Sequence, residues 1–80
     1  MKSREHYERL FENYPDVVTL HDFIKMLGGI GDSTARKLMR GNHVHHFYIR
    51  DTYLIPKPSV ISYVLGEHYA EYSKKLKVQV

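Results

Sequence analysis

The chain has no cysteine. Without a thiol there is no disulfide framework, no thiolate metal ligand and no cysteine nucleophile, and a reducing compartment is the natural setting. No apolar run approaches the roughly 18–20 residues that cross a bilayer. The opening Met1-Lys2-Ser3-Arg4-Glu5-His6 lacks the apolar stretch of a secretory signal, which predicts a cytoplasmic protein. Repeats, low-complexity tracts and linkers are missing too. The 80 residues allow one small domain, spanning 1–80, and no second one. A chain of this size buries only about 60–65% of its unfolded surface, so a deep enzymatic pocket is not expected. What is present is a 42% hydrophobic chain, too apolar for a disordered tail.

Charge is unevenly spread around the formal net +3. Residues 1–24 hold three cations against five acids, whereas residues 25–80 hold nine against four. Between Ser33 and Arg50 stand Arg36, Lys37, Arg40 and Arg50 with no carboxylate at all. Such a surface attracts a polyanion, and in the cytoplasm the commonest polyanion is nucleic acid. A merely solvated helix face is the competing reading.

Glycine and proline punctuate the chain into five segments. Residues 3–14 place Tyr7, Leu10, Phe11 and Tyr14 on one helical stripe, with Ser3 as cap and Pro15 as stop. Residues 19–27 repeat Leu20, Phe23, Ile24 and Leu27 on one side, capped by Thr19 with Asp22 nearby and ended by Gly28-Gly29. Residues 32–40 bury Ala35, Leu38 and Met39 and turn out Ser33, Arg36, Lys37 and Arg40, with Gly31 or Asp32 as N-cap. The short link between these two helices predicts a helix-turn-helix. From Val44 to Ile55 the period changes to two, and Arg50-Asp51-Thr52 forms the polar tip of a two-stranded hairpin that must lean on the helices. A last helix starts at Pro58, carries Val60, Ile61, Val64, Leu65 and Tyr72 on one face, and reaches about Lys75, with Gly66 able to split it. The expected class is therefore α+β, mostly α: a winged helix-turn-helix with a two-stranded wing and an extra N-terminal helix over residues 1–15.

Three stretches carry a family resemblance. Thr19-Leu-His-Asp-Phe-Ile-Lys-Met-Leu-Gly28 resembles the opening helix of the excisionase family, the small MerR-like winged helices. Ile30-Gly-Asp-Ser-Thr-Ala-Arg-Lys-Leu-Met-Arg40 is similar to that family's second helix, and Phe47-Tyr-Ile-Arg-Asp-Thr-Tyr-Leu-Ile-Pro56 to its wing. The resemblance covers residues 17–66, leaving 67–80 as helix end and basic tail. It implies a second helix in the major groove, a wing in the minor groove, binding of several copies at recombination sites, DNA bending, and contact with an integrase. Close relatives are transcriptional regulators. Gly29 makes the inter-helix turn one residue longer than usual, and Asp32 and Asp51 are acidic where the family is often basic or neutral.

The candidate contacts follow. Arg36, Lys37 and Arg40 are groove residues, since arginine pairs bidentately with guanine and lysine neutralises phosphate. Ser33 and Thr34 can donate to phosphates at the helix start, though one of them can instead serve as cap. Arg50 and Thr52 are the wing-tip contacts, and Lys57 is a flanking phosphate contact. Five to seven engaged cations would give log K against log salt a slope of about −5 to −6. The His43, His45, His46 group has two ligands on one strand face, too few for a zinc site, so neither metal nor cofactor is expected; one of the three packs on the core and the others lie beside DNA. His68 is partly buried and His21 lies at the surface. Tyr7, Tyr14, Tyr53 and Tyr72 are core residues with a polar handle, while Tyr48 and Tyr63 point outward. No histidine has a neighbouring nucleophile, so the protein is not expected to be an enzyme. Expected partners are duplex DNA and an integrase, with self-association on DNA. A promoter-binding regulator and a protein-interaction module built on the acidic N-terminal helix remain the alternatives. Lys74, Lys75 and Lys77 read as a solvated tail.

Overall fold

The computed structural model describes residues 3–76, with side chains through residue 71. The Ser3 hydroxyl accepts from the His6 amide at 3.3 Å and caps α1, Arg4–Leu10, as expected. This helix is shorter than its apolar stripe. The chain turns at Phe11 before Pro15, so Tyr7 and Phe11 stack at 5.9 Å in the core while Leu10 is left 49% exposed. Leu10 is thus not a core residue. It lies at the margin of a stripe whose centre is the i, i+4 pair.

A strand that the sequence pattern does not announce follows: β1, Val17–Thr19. Thr19 closes it and caps the next helix, α2 (Leu20–Met26), by accepting from the Asp22 amide at 3.2 Å. Gly28 and Gly29, at φ +86° and +90°, end α2 by returning their amides to the Lys25 and Ile24 carbonyls. That double return satisfies two orphan carbonyls and requires left-handed backbone at both positions. Ile30 then drops into the core, and α3 (Asp32–Arg40) starts after Gly31 and packs against α2.

The hairpin is tighter than its polar tip suggests. β2 (Phe47–Ile49) and β3 (Thr52–Pro56) are joined by Arg50 and Asp51 alone, both left-handed at φ +50° and +62°. The sheet is antiparallel and three-stranded in the order β1-β3-β2. Val18 and Ile55, both fully buried, bring its inner face onto the helices.

Lys57 opens α4 (Lys57–Val64), and Gly66 does split the last helical stretch, so that α5 runs Glu67–Leu76. Two positions on this stretch differ from expectation. Tyr63 faces inward, 6% exposed, with its hydroxyl 2.9 Å from His68 Nδ1, and Leu65 is 40% exposed. The break after Val64 changes the helical phase, which removes Leu65 from the face that a continuous helix would share. The side chain of Tyr72 and residue Lys77 lie outside the described residues. The whole is a compact α+β domain, about half helical. Among the described residues no helix is long and apolar enough to cross a membrane.

Candidate nucleic-acid interface

Helix α3 is strongly two-sided. Ala35, Leu38 and Met39 are fully buried, and Ser33, Arg36, Lys37 and Arg40 are all exposed on the opposite side. Thr34 is half-buried at the flank. The N-cap is Gly31, which makes no side-chain bond, so neither Ser33 nor Thr34 serves as cap. The first-turn amides therefore point outward without a side-chain acceptor at the cap position, the arrangement that attracts anions at a helix start.

Asp32 occupies the first turn, and its carboxylate Oδ2 accepts from Arg36 Nε at 2.7 Å. That bond raises the Arg36 guanidinium above its usual range, first through the hydrogen bond and then through the carboxylate's charge. With Nε engaged, the two terminal nitrogens of Arg36 are the donors that remain available to a ligand. Tyr48 and Tyr53 of the hairpin also act on the Arg36 charge, which places the hairpin beside α3.

The hairpin supplies a second charged element. Arg50 stands exposed at the tip with no ion-pair partner among the described residues. The Thr52 hydroxyl donates to the Arg50 carbonyl at 3.3 Å and so braces the tip. Asp51 accepts from the Tyr48 hydroxyl at 3.2 Å, and this bond, followed by burial, raises the Tyr48 phenol. Asp32 and Asp51 are the only carboxylates between Asp22 and Glu67, and each is held by a neighbour on the same surface.

No protein-family model, curated protein or solved structure matches this chain. The character of the surface therefore rests on its own residues. Lys57, a candidate phosphate contact, is already engaged within the protein, where its ammonium donates to the carbonyls of Tyr14 at 2.9 Å and Phe11 at 3.5 Å. It satisfies the open carbonyls of the turn after α1, which removes it from the free cations. Among the three clustered histidines, His46 is half-buried with Nδ1 2.8 Å from the Val44 carbonyl. His43 instead stacks on His68 of α5 at 3.9 Å, and His45 packs edge-on against Phe47 at 5.3 Å. Among the described residues no three His, Asp or Glu side chains gather as a metal-binding group.

Tyr48 is 57% exposed, as expected of an outward residue, but it lies on the α3 side of the sheet and not on a remote surface. The residues that face away are Phe47 and Ile49. The signal that reveals this is turn length. A two-residue tip pairs Ile49 with Thr52 and therefore Tyr48 with Tyr53. Reading Thr52 as part of the tip shifts that register, and a one-residue shift exchanges the faces.

Proposed function

We propose that this protein is a sequence-specific duplex-DNA-binding protein of the winged helix-turn-helix type, with α3 as the groove helix and the β2–β3 hairpin as the wing. The observation that carries the reading is the joint exposure of Arg36, Lys37 and Arg40 on one side of α3, beside a hairpin whose tip is Arg50. A helix of this kind fits the major groove, where arginine reads guanine and lysine neutralises phosphate. The wing tip adds Arg50 to the adjacent backbone or minor groove.

The chemistry needed is binding alone, and no step calls for a nucleophile, cofactor or metal. Within this reading, assistance to an integrase at attachment-site DNA is the role that the resemblance of residues 17–66 favours, and promoter regulation by the same contacts is the alternative.

The experiment is a footprint on DNA flanking the gene, followed by titration of the protected site. Arg36→Ala and Arg40→Ala each cost about 1–3 kcal/mol of specific binding with the far-UV spectrum unchanged. If neither variant alters binding to the protected site, α3 is not the reading helix. Recombination assayed with and without the protein then separates the excision role from the promoter role. Binding of a partner protein with no salt-sensitive DNA shift would favour an interaction module built on α1.

A further inference from the structure

An acid stands where a surface built to meet a polyanion should have none. Asp32 is the first residue of α3, and Arg36 lies one turn further along the same face. Arg36 Nε and Asp32 Oδ2 are 2.7 Å apart, the length of a charge-assisted hydrogen bond, while both side chains remain exposed. An exposed pair of this kind adds little to folding, so its consequence is geometric. A free arginine explores many rotamers, and any contact it makes must first fix that chain. With Nε tied to Asp32, the guanidinium is oriented before a ligand arrives. Its two terminal nitrogens are left as a side-by-side pair of donors.

Taking α3 as the groove helix, we propose that Asp32 is a positioning residue that commits Arg36 to a guanine of the target duplex. This assignment rests on the DNA reading and names the base that α3 selects. The donor pair matches two adjacent acceptors, and in the major groove only guanine presents two on one base, O6 and N7. A phosphate also offers acceptors, but one that approaches Arg36 approaches the Asp32 carboxylate too, and the like charges repel. Placement agrees with this choice. Asp32 and Arg36 occupy the first half of α3, and the N-terminal residues of a groove helix are those that reach base edges. Lys37 and Arg40 form no ion pair among the described residues, so neither is oriented in advance. The acid therefore narrows what one arginine can bind and leaves its neighbours adaptable.

The test uses duplexes carrying the footprinted sequence, with each G·C pair replaced in turn by A·T. Titration of this set with wild type and Arg36→Ala finds the pair that Arg36 reads. Wild type binds the guanine duplex about tenfold to a hundredfold more tightly than its A·T replacement there, and Arg36→Ala removes the difference. On the same two duplexes, Asp32→Asn lowers that ratio by roughly two- to tenfold, the cost of fixing a long side chain during binding rather than before it. It also tightens binding to the A·T duplex by about twofold, because a carboxylate no longer faces the phosphates. Asp32→Glu still reaches Arg36 at i, i+4 and keeps most of the wild-type ratio. A residue that only supported the helix would weaken both duplexes alike, and thermal midpoints report whether each variant is folded. A wild-type ratio in Asp32→Asn overturns the proposal and leaves α3 as the groove helix. If Arg36→Ala weakens every duplex equally, Arg36 is a phosphate contact and the proposal again fails alone. A protein that shifts no duplex overturns the DNA reading and this assignment together.

Discussion

His68 shows how one residue ties a terminal helix to the body. Its ring stacks on His43 at 3.9 Å, and its Nδ1 meets the Tyr63 hydroxyl at 2.9 Å. Gly41 is what lets His43 lie there, because a Cβ at that position would come within 2.7 Å of the imidazole. Two stacked imidazoles tolerate one another while neutral. Burial lowers the His68 pKa below its usual 6.5, the charge of His43 lowers it further, and Glu71 opposes the effect. The unfolded chain then binds more protons than the folded one in the window below that value, so stability must fall as pH falls. The contribution is intact above about pH 6.5 and is lost as pH drops through the lowered value. Thermal midpoints measured at pH 7.5 and pH 5.5 should show wild type losing more on acidification than His68→Gln. Equal losses would remove His68 as the source. The Asp32–Arg36 pair, by contrast, is exposed at both ends and adds little to stability. Its effect is on where the guanidinium points.

At the scale of elements, the turn between α2 and α3 rests on backbone conformation rather than packing. Gly29 sits at φ +90°, and a Cβ placed there would meet nothing within 4 Å. Gly29→Ala therefore isolates the left-handed penalty and should cost about 1–2 kcal/mol in denaturant unfolding. A cost near zero would mean that the turn relaxes to another conformation. This turn was legible in the sequence, because two glycines after an amphipathic run have one common use. The boundaries of α3 and its two faces were legible too, since Ala35, Leu38 and Met39 hold the helical period without exception. β1 was not: three residues, with one buried side chain, are too short for a period to register, and their pairing with β3 comes from a segment distant in the chain. The hairpin's existence could be read but its inner and outer faces could not. Arg50-Asp51 lacks the Asn-Gly signature of a two-residue tip, so no turn signal set the register.

Over the whole molecule, the charge that the proposed DNA contact can use is smaller than the sequence total. Five to seven engaged cations is what composition suggests, and Lys57 does not belong among them because its ammonium is held by the Phe11 and Tyr14 carbonyls. On this surface Arg36, Lys37, Arg40 and Arg50 remain. Each phosphate neutralised lowers the slope of log K against log salt by about 0.9, so four contacts give a slope of about −4 rather than −5 to −6. The acids Glu5 and Glu8 of α1, and Glu12 in the turn after it, lie on a different element, so they are not expected to alter that count. Arg50→Ala should flatten the slope by about one. Lys57→Ala should leave it unchanged and lower the thermal midpoint instead, because the carbonyls after α1 lose their donor. Salt titrations of the three proteins on one duplex, with melting curves alongside, separate the two kinds of cation. If Lys57→Ala flattens the slope as much as Arg50→Ala does, Lys57 reaches DNA despite its bonds to the turn after α1, and the contacts extend along α4.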